Sequence, residues 1–367
     1  MARSGLVYLL SGLFLVMGLT AAVLVLAGQQ GPKFPIYEHW DTYGVHDGLP
    51  SEKCFSVRMQ GERVWVGTDN GLACLENGRW RTYTTKDGLA HRACLWIAVS
   101  PETEDVWIGT MGGGLCRYSA GRFDTFNQFN SGLPNDVVFA VACQEEYVWT
   151  ATPAGVGRYN TRTDQWSIWD QNNAPMHEPW CYHVSWSPDN RMIYVTAWGG
   201  GVLEYHVDTG EWKDYRDPDG EFEIDLFPND GLVQMIATAA SYDDGMMWAS
   251  SYFGINSYDY RHWNTYYQDD SGLASDFVNM LEAHGPACYC ATDKGMSVFD
   301  GTYWATYKAL PSHRGETLVY RGARLLERRE TPTGIAHSYV FNLDAEDNEV
   351  WVATARGVSH ARVEKGR

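Results

Sequence analysis

The sequence predicts an all-β protein, a seven-bladed β-propeller of four-stranded blades. Three observations lead to this prediction. A short cassette returns every 40 to 51 residues, helical periodicity is largely absent, and the first and last copies are incomplete in complementary ways. Repeats of this length, made of short β-branched and aromatic runs, are typical of propeller blades.

The head of the cassette is a strand that carries an aromatic residue and ends in a small residue and Thr or Ser. The first copy reads Val64-Trp65-Val66-Gly67-Thr68. Runs of β-branched and aromatic residues bounded by a Gly-containing turn indicate a strand, here the second of its blade. The other six heads are Val106-Trp107, Val148-Trp149, Ile193-Tyr194, Met247-Trp248, Cys288-Tyr289 and Val350-Trp351.

The tail of the cassette is a pair of aromatic residues separated by two positions, predicted to lie on the fourth strand of a blade. Aromatic rings at these positions would pack between neighbouring blades, where each buries about 150–250 Å². We therefore assign all sixteen tryptophans to packing. The tails are Trp40…Tyr43, Trp80…Tyr83, Phe123…Phe126, Trp166…Trp169, Trp212…Tyr215, Trp263…Tyr266 and Trp304…Tyr307.

The two ends of the repeat region complement each other. The chain begins with a tail at Trp40 that has no head before it, and it finishes with three strands between Val340 and Ala361 that have no tail after them. Together they would complete one blade, which closes the ring at seven and removes the free sheet edges.

A second signature, Gly-Leu followed in some copies by Pro-Ser or Pro-Asn, leads into five of the seven heads. It occurs at Gly48-Leu49, Gly88-Leu89, Gly132-Leu133, Gly231-Leu232 and Gly272-Leu273. With the head and its Gly-Leu turn, this pattern resembles the two-component-regulator propeller repeat, over about residues 39 to 362. The resemblance implies a periplasmic sensor propeller. Signalling domains usually follow it in that family, and since nothing follows Arg367 here we expect no kinase role.

Residues Gly5 to Gly28 form an uncharged, predominantly apolar run. At about 1.5 Å per helical residue it would span roughly 36 Å, enough for a hydrocarbon core of ~30 Å. We predict a transmembrane anchor in residues 1–28, a linker in 29–38 and the propeller in 39–367; a cleaved signal peptide is the alternative for 1–28. Arg3 lies before the helix, which predicts a single-pass inner-membrane protein with a cytoplasmic N-terminus and a periplasmic propeller.

Two insertions follow tails, at residues 216–230 and 308–333. Long loops on a rigid scaffold commonly carry binding sites, and both insertions are expected on one side of the ring. We predict that both insertions bind a protein partner, and the alternative is that they are solvated loops. The acidic insertion also resembles a calcium-binding loop, although it lacks the full series of calcium ligands. The candidate residues are Asp217, Asp219, Glu221 and Glu223 in the first and Arg314, Arg321, Arg324, Arg328 and Arg329 in the second.

A cluster of metal-ligand types falls at the start of the fourth inner strand, near the predicted channel mouth: His177, Glu178, Cys181 and His183. These ligand types suit zinc. One strand cannot usually surround a metal, however, so pore-lining polar residues are the other interpretation, and no metal is assigned. His91 and His337 fall in lead-ins equivalent to that of His177, which keeps a lyase or hydrolase open as an alternative.

The cysteines follow the repeat. Cys54, Cys94 and Cys181 occupy the position that holds Val138 or Val278 in other copies, where a small apolar side chain fits. A buried free cysteine behaves as a small hydrophobic residue. We predict free thiols, with a bridge between Cys54 and Cys94 as the alternative in an exported domain.

No nucleophile elbow, phosphate loop or zinc-protease helix occurs in the sequence. The net charge of −18 disfavours nucleic acid as a partner. We predict a non-enzymatic scaffold or accessory subunit of a larger membrane complex, respiratory, photosynthetic or similar, without a cofactor. Its helix would contact integral membrane subunits and the lipid bilayer. The face of the propeller that bears the long insertions would contact a protein partner. A stand-alone periplasmic ligand-sensing propeller, binding a sugar or peptide, and the lyase or hydrolase are the alternatives.

Overall fold

The computed structural model describes residues 31–217 and 231–363. From Phe34 onward the described residues form a compact unit that contains seven antiparallel sheets. A short first strand, β1 (Asp41–Tyr43), precedes the first complete blade, and short 3-10 turns lie at Val45–Asp47, Thr85–Asp87 and Pro311–His313.

Blades one to four follow in chain order, each a meander of four strands. Their strands are β2 (Cys54–Gln60), β3 (Arg63–Thr68), β4 (Gly71–Glu76) and β5 (Arg79–Tyr83); β6 (Cys94–Val99), β7 (Val106–Thr110), β8 (Leu115–Ser119) and β9 (Arg122–Phe126); β10 (Ala140–Gln144), β11 (Tyr147–Thr152), β12 (Gly155–Asn160) and β13 (Gln165–Trp169); β14 (Cys181–Ser187), β15 (Met192–Ala197), β16 (Gly201–His206) and β17 (Trp212–Tyr215).

Blade five is regular, blade six has two additional strands, and blade seven takes its fourth strand from the beginning of the chain. Their strands are β18 (Ala237–Asp243), β19 (Met246–Ser251), β20 (Gly254–Tyr258) and β21 (Trp263–Tyr266); β22 (Val278–His284), β23 (Ala287–Thr292), β24 (Gly295–Phe299), β25 (Tyr303–Ala309), β26 (Gly315–Arg321) and β27 (Arg324–Thr331); β28 (Val340–Glu346), β29 (Glu349–Thr354) and β30 (Gly357–Arg362).

The ring closes as the sequence predicts. Strand β1 pairs antiparallel with β30, with Asp41 opposite His360 and Tyr43 opposite Val358. The first strand of each blade contacts the first strands of the two neighbouring blades. Seven inner strands therefore surround a central channel, and both the number of blades and the mode of closure are confirmed.

The cassette has a structural role in each copy. Trp65, Trp107 and Trp149 on the second strands are fully buried. The Thr that ends the head closes the following turn: Thr68 Oγ1 donates to the carbonyl oxygen of Gly71 at 2.9 Å. Equivalent Thr-to-Gly bonds occur after β11, β23 and β29. The cassette is thus explained by packing and turn geometry.

The glycine of the head lies against the next blade. A Cβ built on Gly67 would lie 2.5 Å from Ser56 Oγ and 2.7 Å from the carbonyl oxygen of Cys94. Cys94 begins the inner strand of blade two and is fully buried, as are Cys54 and Cys181 at the same repeat position. The predicted small apolar position on the inner strands is therefore confirmed, and close approach between blades is its physical reason.

The basic insertion differs from the loop that was expected on one side of the ring. It folds into the hairpin β26–β27, whose strand β26 pairs along the whole length of β25, so that blade six has six strands. Alternating residues such as Thr317 and Val319 extend the sheet. The insertion therefore lies along the outer edge of a blade, because its own residues complete backbone hydrogen bonds that a loop would leave to water.

The hairpin also contacts the segment that leads into β1. In this segment Phe34, Tyr37 and Trp40 are buried in one core cluster with residues of blades six and seven. The Trp40 amide donates to Thr333 Oγ1 at 2.8 Å, and the Tyr37 amide donates to Tyr307 Oη at 3.1 Å. The N-terminal lead-in is thus packed into the propeller.

The predicted transmembrane helix at 5–28 lies outside the described residues. Across 31–217 and 231–363, no helix has the length and apolar character needed to cross a membrane. Of the acidic insertion, Asp217 is described and is buried rather than exposed. Asp219, Glu221 and Glu223 lie outside the described residues.

Candidate functional site: the two ends of the central channel

The inner strands all run in the same direction along the channel, so the channel has two distinct ends. We call the end where the inner strands begin the aromatic end, and the end where they finish the charged end. Since each blade is an antiparallel meander, the turns between second and third strands also lie at the aromatic end.

Six aromatic side chains from blades three to six form a continuous group at the aromatic end, here called the aromatic collar. Three of them directly precede inner strands, one lies within an inner strand, and two lie in turns between second and third strands. The collar consists of Phe139, Trp180, Phe277, Tyr182, Trp198 and Tyr252.

The rings of the collar contact one another in sequence. Phe139 stacks on Trp180 with ring centroids 6.2 Å apart and on Tyr182 with centroids 5.1 Å apart. Tyr182 lies 5.4 Å from Trp198, which lies 5.6 Å from Tyr252. Tyr252 then stacks on Phe277 at 3.9 Å with nearly parallel planes. Rigid strands and short turns hold these rings, so the surface is preformed.

A second, smaller aromatic group belongs to blades one and seven. Phe55 lies 5.5 Å from Phe341, which lies 4.8 Å from Tyr339. The ammonium group of Lys53 lies 5.1 Å from the Phe55 ring centroid and 5.6 Å from that of Phe341. Aromatic side chains at this end thus come from six of the seven blades.

The collar was not foreseen from the sequence, where all sixteen tryptophans were assigned to packing. Trp180 is 46% exposed and Trp198 is 38% exposed. Both lie outside the head and tail positions of the repeat: Trp180 directly precedes an inner strand, and Trp198 lies in a turn. Tryptophans outside the head and tail positions of the repeat were therefore the signal in the sequence that could have identified this surface.

The His177 cluster does not assemble. His177 and Glu178 are exposed, whereas Cys181 is buried in a core cluster between blades three and four. His183 is buried further along the channel, with its ring 5.0 Å from that of Trp96. A β-bulge between Cys181 and His183 also breaks the regular alternation of side chains along this strand. Among the residues that the structure describes, no group of three or more His, Cys, Asp or Glu could hold a metal ion.

His91 and His337 have equivalent local roles. His91 Nδ1 accepts from the Ala93 amide at 3.1 Å, and His337 Nδ1 accepts from the Tyr339 amide at 2.9 Å. Each ring closes the turn before an inner strand. Their matching positions in the sequence therefore have a backbone explanation.

The charged end contains a partly buried ionic group, in which Asp344 is buried and Arg58 and Glu282 are partly exposed. Arg58 Nη1 lies 2.5 Å from Asp344 Oδ1 and 3.2 Å from Glu282 Oε1. The Met59 amide donates to Asp344 Oδ2 at 2.5 Å. Glu282 Oε2 is inaccessible to solvent, and the Ala345 backbone also contacts the Glu282 carboxylate. One guanidinium is therefore shared by two carboxylates.

Burial shifts the acid–base equilibria at this end. It raises the pKa of Glu282 to about 7, with the Arg58 charge opposing the shift and Asp344 adding to it. Burial also raises the pKa of Asp344, again opposed by Arg58. It lowers the pKa of His183 to about 3, and Arg58 lowers it further. The imidazole of His183 is therefore neutral near pH 7.

Most of the candidate arginines on the hairpin have partners within the chain. Arg314 pairs with Glu330, and Arg328 with Glu316. Arg329 pairs with Glu327 and with Glu38 of the N-terminal lead-in. The Arg321 guanidinium lies 5.9 Å from the Tyr303 ring centroid, and Arg324 is exposed. Their role in binding a partner stays a prediction.

All eight cysteines are free thiols in the structure, seven of them buried and Cys143 partly buried. Burial raises the pKa of Cys74 and of Cys116 to about 11 in each case. Thiols with raised pKa values are poorly reactive nucleophiles near neutral pH.

No protein-family model matches this sequence, and no curated protein matches it. Among solved structures, the chain is similar to the extracellular domain of a hybrid two-component system of B. thetaiotaomicron, at 15% identity and a TM-score of 0.66 over 90% of this chain and 40% of that one. The extracellular domain of a one-component system of the same organism is 16% identical, with a TM-score of 0.68. The match covers 90% of this chain and 41% of that one. Virginiamycin B lyase from Staphylococcus aureus is 10% identical, with a TM-score of 0.60, and the match covers 89% of this chain and 99% of the lyase chain.

The chain spans less than half the length of the two B. thetaiotaomicron proteins. Likenesses at these identities establish the propeller fold. Two of the neighbours are extracellular domains of bacterial regulators, which is the kind of propeller that the repeat pattern resembles. The resemblance stated from the sequence is therefore confirmed at the level of the fold.

Proposed function

We propose that this protein is a non-enzymatic binding propeller that acts outside the cytoplasm as a scaffold or accessory subunit of a larger membrane protein assembly. The observation that carries the proposal is the aromatic collar. Its rings contact each other and solvent, and two of its tryptophans are more than a third exposed.

A protein partner fits this surface. Exposed apolar groups that adjoin one another mark interaction sites, whereas scattered single ones do not. Tryptophan and tyrosine dominate the energetic centres of protein interfaces, since they cover a large area while losing few rotamers. The collar rings are already fixed by stacking, so a partner would order few side chains on binding.

The proposed location combines two supports. The apolar run Gly5–Gly28 has the length of a membrane span, and two structural neighbours are extracellular domains. In this proposal the helix contacts integral membrane subunits and lipid in the inner membrane, with the N-terminus cytoplasmic and the propeller periplasmic. The anchor would raise the local concentration of the collar near its partner.

The hairpin offers a second, weaker contact surface. Because Arg314, Arg328 and Arg329 already pair with carboxylates of this chain, a partner would have to compete with those ion pairs. Arg324 at the hairpin turn is exposed and is the arginine most accessible to an acidic partner.

A stand-alone ligand-sensing propeller is the second candidate. The nearly parallel stack of Tyr252 and Phe277 would suit a flat face of a sugar or a peptide side chain, and the similarity to extracellular regulator domains favours it. The lyase or hydrolase has less support, because His91 and His337 bond to the backbone and His183 is buried.

The test is the size of the native complex. The double variant Trp180→Ala, Trp198→Ala and the wild type would be extracted in mild detergent and sized by chromatography. We expect a large complex for the wild type and a small species for the double variant, since the hot-spot rings are lost. Phe129→Ala is the control, because Phe129 is 97% exposed and lies outside the collar. A wild type that elutes as a small species, or a double variant that stays in the large complex, would contradict the proposal.

A further inference from the structure

The charged end of the channel contains a cavity that the proposed partner surface does not use. Its volume is 460 Å³, within the range of sites for small ligands. All seven inner strands contribute to its wall, through residues near their C-terminal ends. The cavity is therefore a fixed feature of the ring, separated from the aromatic collar by the length of the inner strands.

The charge of this cavity is unbalanced. Arg58, Glu282, Asp344 and Glu346 all line it. Arg58 is shared between Asp344 and Glu282, and Glu346 adds a further carboxylate. Among the described lining residues, Arg58 is the only side chain with a permanent positive charge. An anionic ligand would meet this excess of carboxylates, whereas a cation would offset it.

The cavity also presents aromatic surface. Trp96, Trp186 and Tyr242 line it together with the carboxylates. Arg191 lies outside this lining, with its guanidinium 5.8 Å from the Trp186 ring centroid. Aromatic faces attract organic cations, and the attraction strengthens when the site is partly shielded from water. A hydrocarbon chain would also pack on these rings.

We infer that this cavity binds a small organic cation with a primary ammonium group. The ammonium would pair with the carboxylates of Glu282 and Glu346, which line the cavity, and its alkyl chain would lie against Trp96 and Trp186. An N–H donor to a carboxylate is a charge-assisted bond, stronger than a neutral one. The binding site is independent of the partner surface at the other end of the channel.

Isothermal titration of the full chain in mild detergent tests this inference, with cadaverine as the probe and 1,5-pentanediol as its neutral analogue. At pH 8 we expect cadaverine to bind and the diol to bind at least about tenfold more weakly, because it cannot pair with the carboxylates. Glu282→Gln should weaken cadaverine binding about tenfold or more, since the central charge is removed. Glu62→Gln, an exposed carboxylate outside the cavity lining, should leave it unchanged.

Lowering the pH should weaken binding, because protonation of Glu282 near pH 7 competes with the cation. The charged or titratable groups that line this cavity with Glu282 are Arg58, Asp344, Glu346, His183, Cys143 and Tyr242. Cys288 and Tyr289 on the neighbouring strand also interact with Glu282. If Glu282→Gln fails to fold, Trp186→Leu replaces it and should weaken binding severalfold through loss of the aromatic face. Equal affinity for cadaverine and the diol, absence of cadaverine binding at pH 8, or an equal loss in Glu62→Gln overturns the inference.

Discussion

The two ends of the central channel are built by the same seven strands and differ in chemistry. At the aromatic end, stacked rings such as Phe139 and Tyr182 lie at the start of inner strands and are partly exposed to solvent. At the charged end, Arg58 holds Glu282 and Asp344 in a cavity. The first surface adds little to folding, whereas the second depends on its ionic contacts. The repeat thus supplies a rigid wall, and residues off the repeat pattern decide what each end does.

The largest expected effect is the loss of the shared guanidinium. Arg58→Met would leave the buried Asp344 and the partly buried Glu282 without their cation and should lower the free energy of unfolding by about 3 kcal/mol. Chemical denaturation monitored by tryptophan fluorescence measures this change. The control is Arg63→Met, which removes an exposed arginine paired with Glu76 and should cost at most about 1 kcal/mol. An equal decrease in the free energy of unfolding in the two variants would mean that Arg58 stabilises the fold no more than an ordinary surface arginine does.

The pH dependence of stability should reveal opposing contributions at the charged end. The pKa of Glu282 is raised from 4.5 to about 7, so the folded state binds more protons and stability falls as pH rises from about 4.5 to 7. The pKa of His183 is lowered from 6.5 to about 3, so the unfolded state binds more protons and stability rises over pH 3 to 6.5. The two slopes oppose each other between pH 4.5 and 6.5, and the raised pKa of Asp344 acts in the same direction as that of Glu282.

Glu282→Gln should therefore expose the His183 contribution. We expect its stability to rise with pH more steeply than that of the wild type between pH 4.5 and 6.5, by up to ~1.4 kcal/mol per pH unit. Denaturation midpoints at three pH values measure the difference. Glu62→Gln should keep the wild-type slope, and the same result for Glu282→Gln would mean that Glu282 titrates normally in the folded protein.

The smallest effect is expected at the aromatic end. Trp180→Ala combined with Trp198→Ala should lower the free energy of unfolding by only about 1 kcal/mol, the scale of an aromatic pair, because both rings are substantially exposed. Thermal unfolding followed by circular dichroism gives this value. A loss comparable to that of Trp107→Ala, which removes a fully buried ring and should cost about 3–5 kcal/mol, would show that the collar is part of the core.

The sequence alone determined the ring and its closure. The spacing of the heads and tails gave the number of blades, and the unpaired tail at Trp40 predicted the pairing of β1 with β30. These features were readable because each blade solves the same packing problem with the same residues in the same order. Gly67 and Cys94 illustrate this, since each has the size that the neighbouring blade requires.

The functional surfaces were decided only by the tertiary structure. Phe139 and Tyr182, like Trp198 and Tyr252, are far apart along the chain and meet because neighbouring blades bring them to one end of the channel. Arg58, Glu282 and Asp344 come from three blades and are paired only when the ring is closed. The His177 cluster gave the opposite result, because a β-bulge and blade packing separated residues that are close in sequence. A repeat fixes local strand geometry, whereas contacts across a channel depend on which side chains the closed ring turns inward.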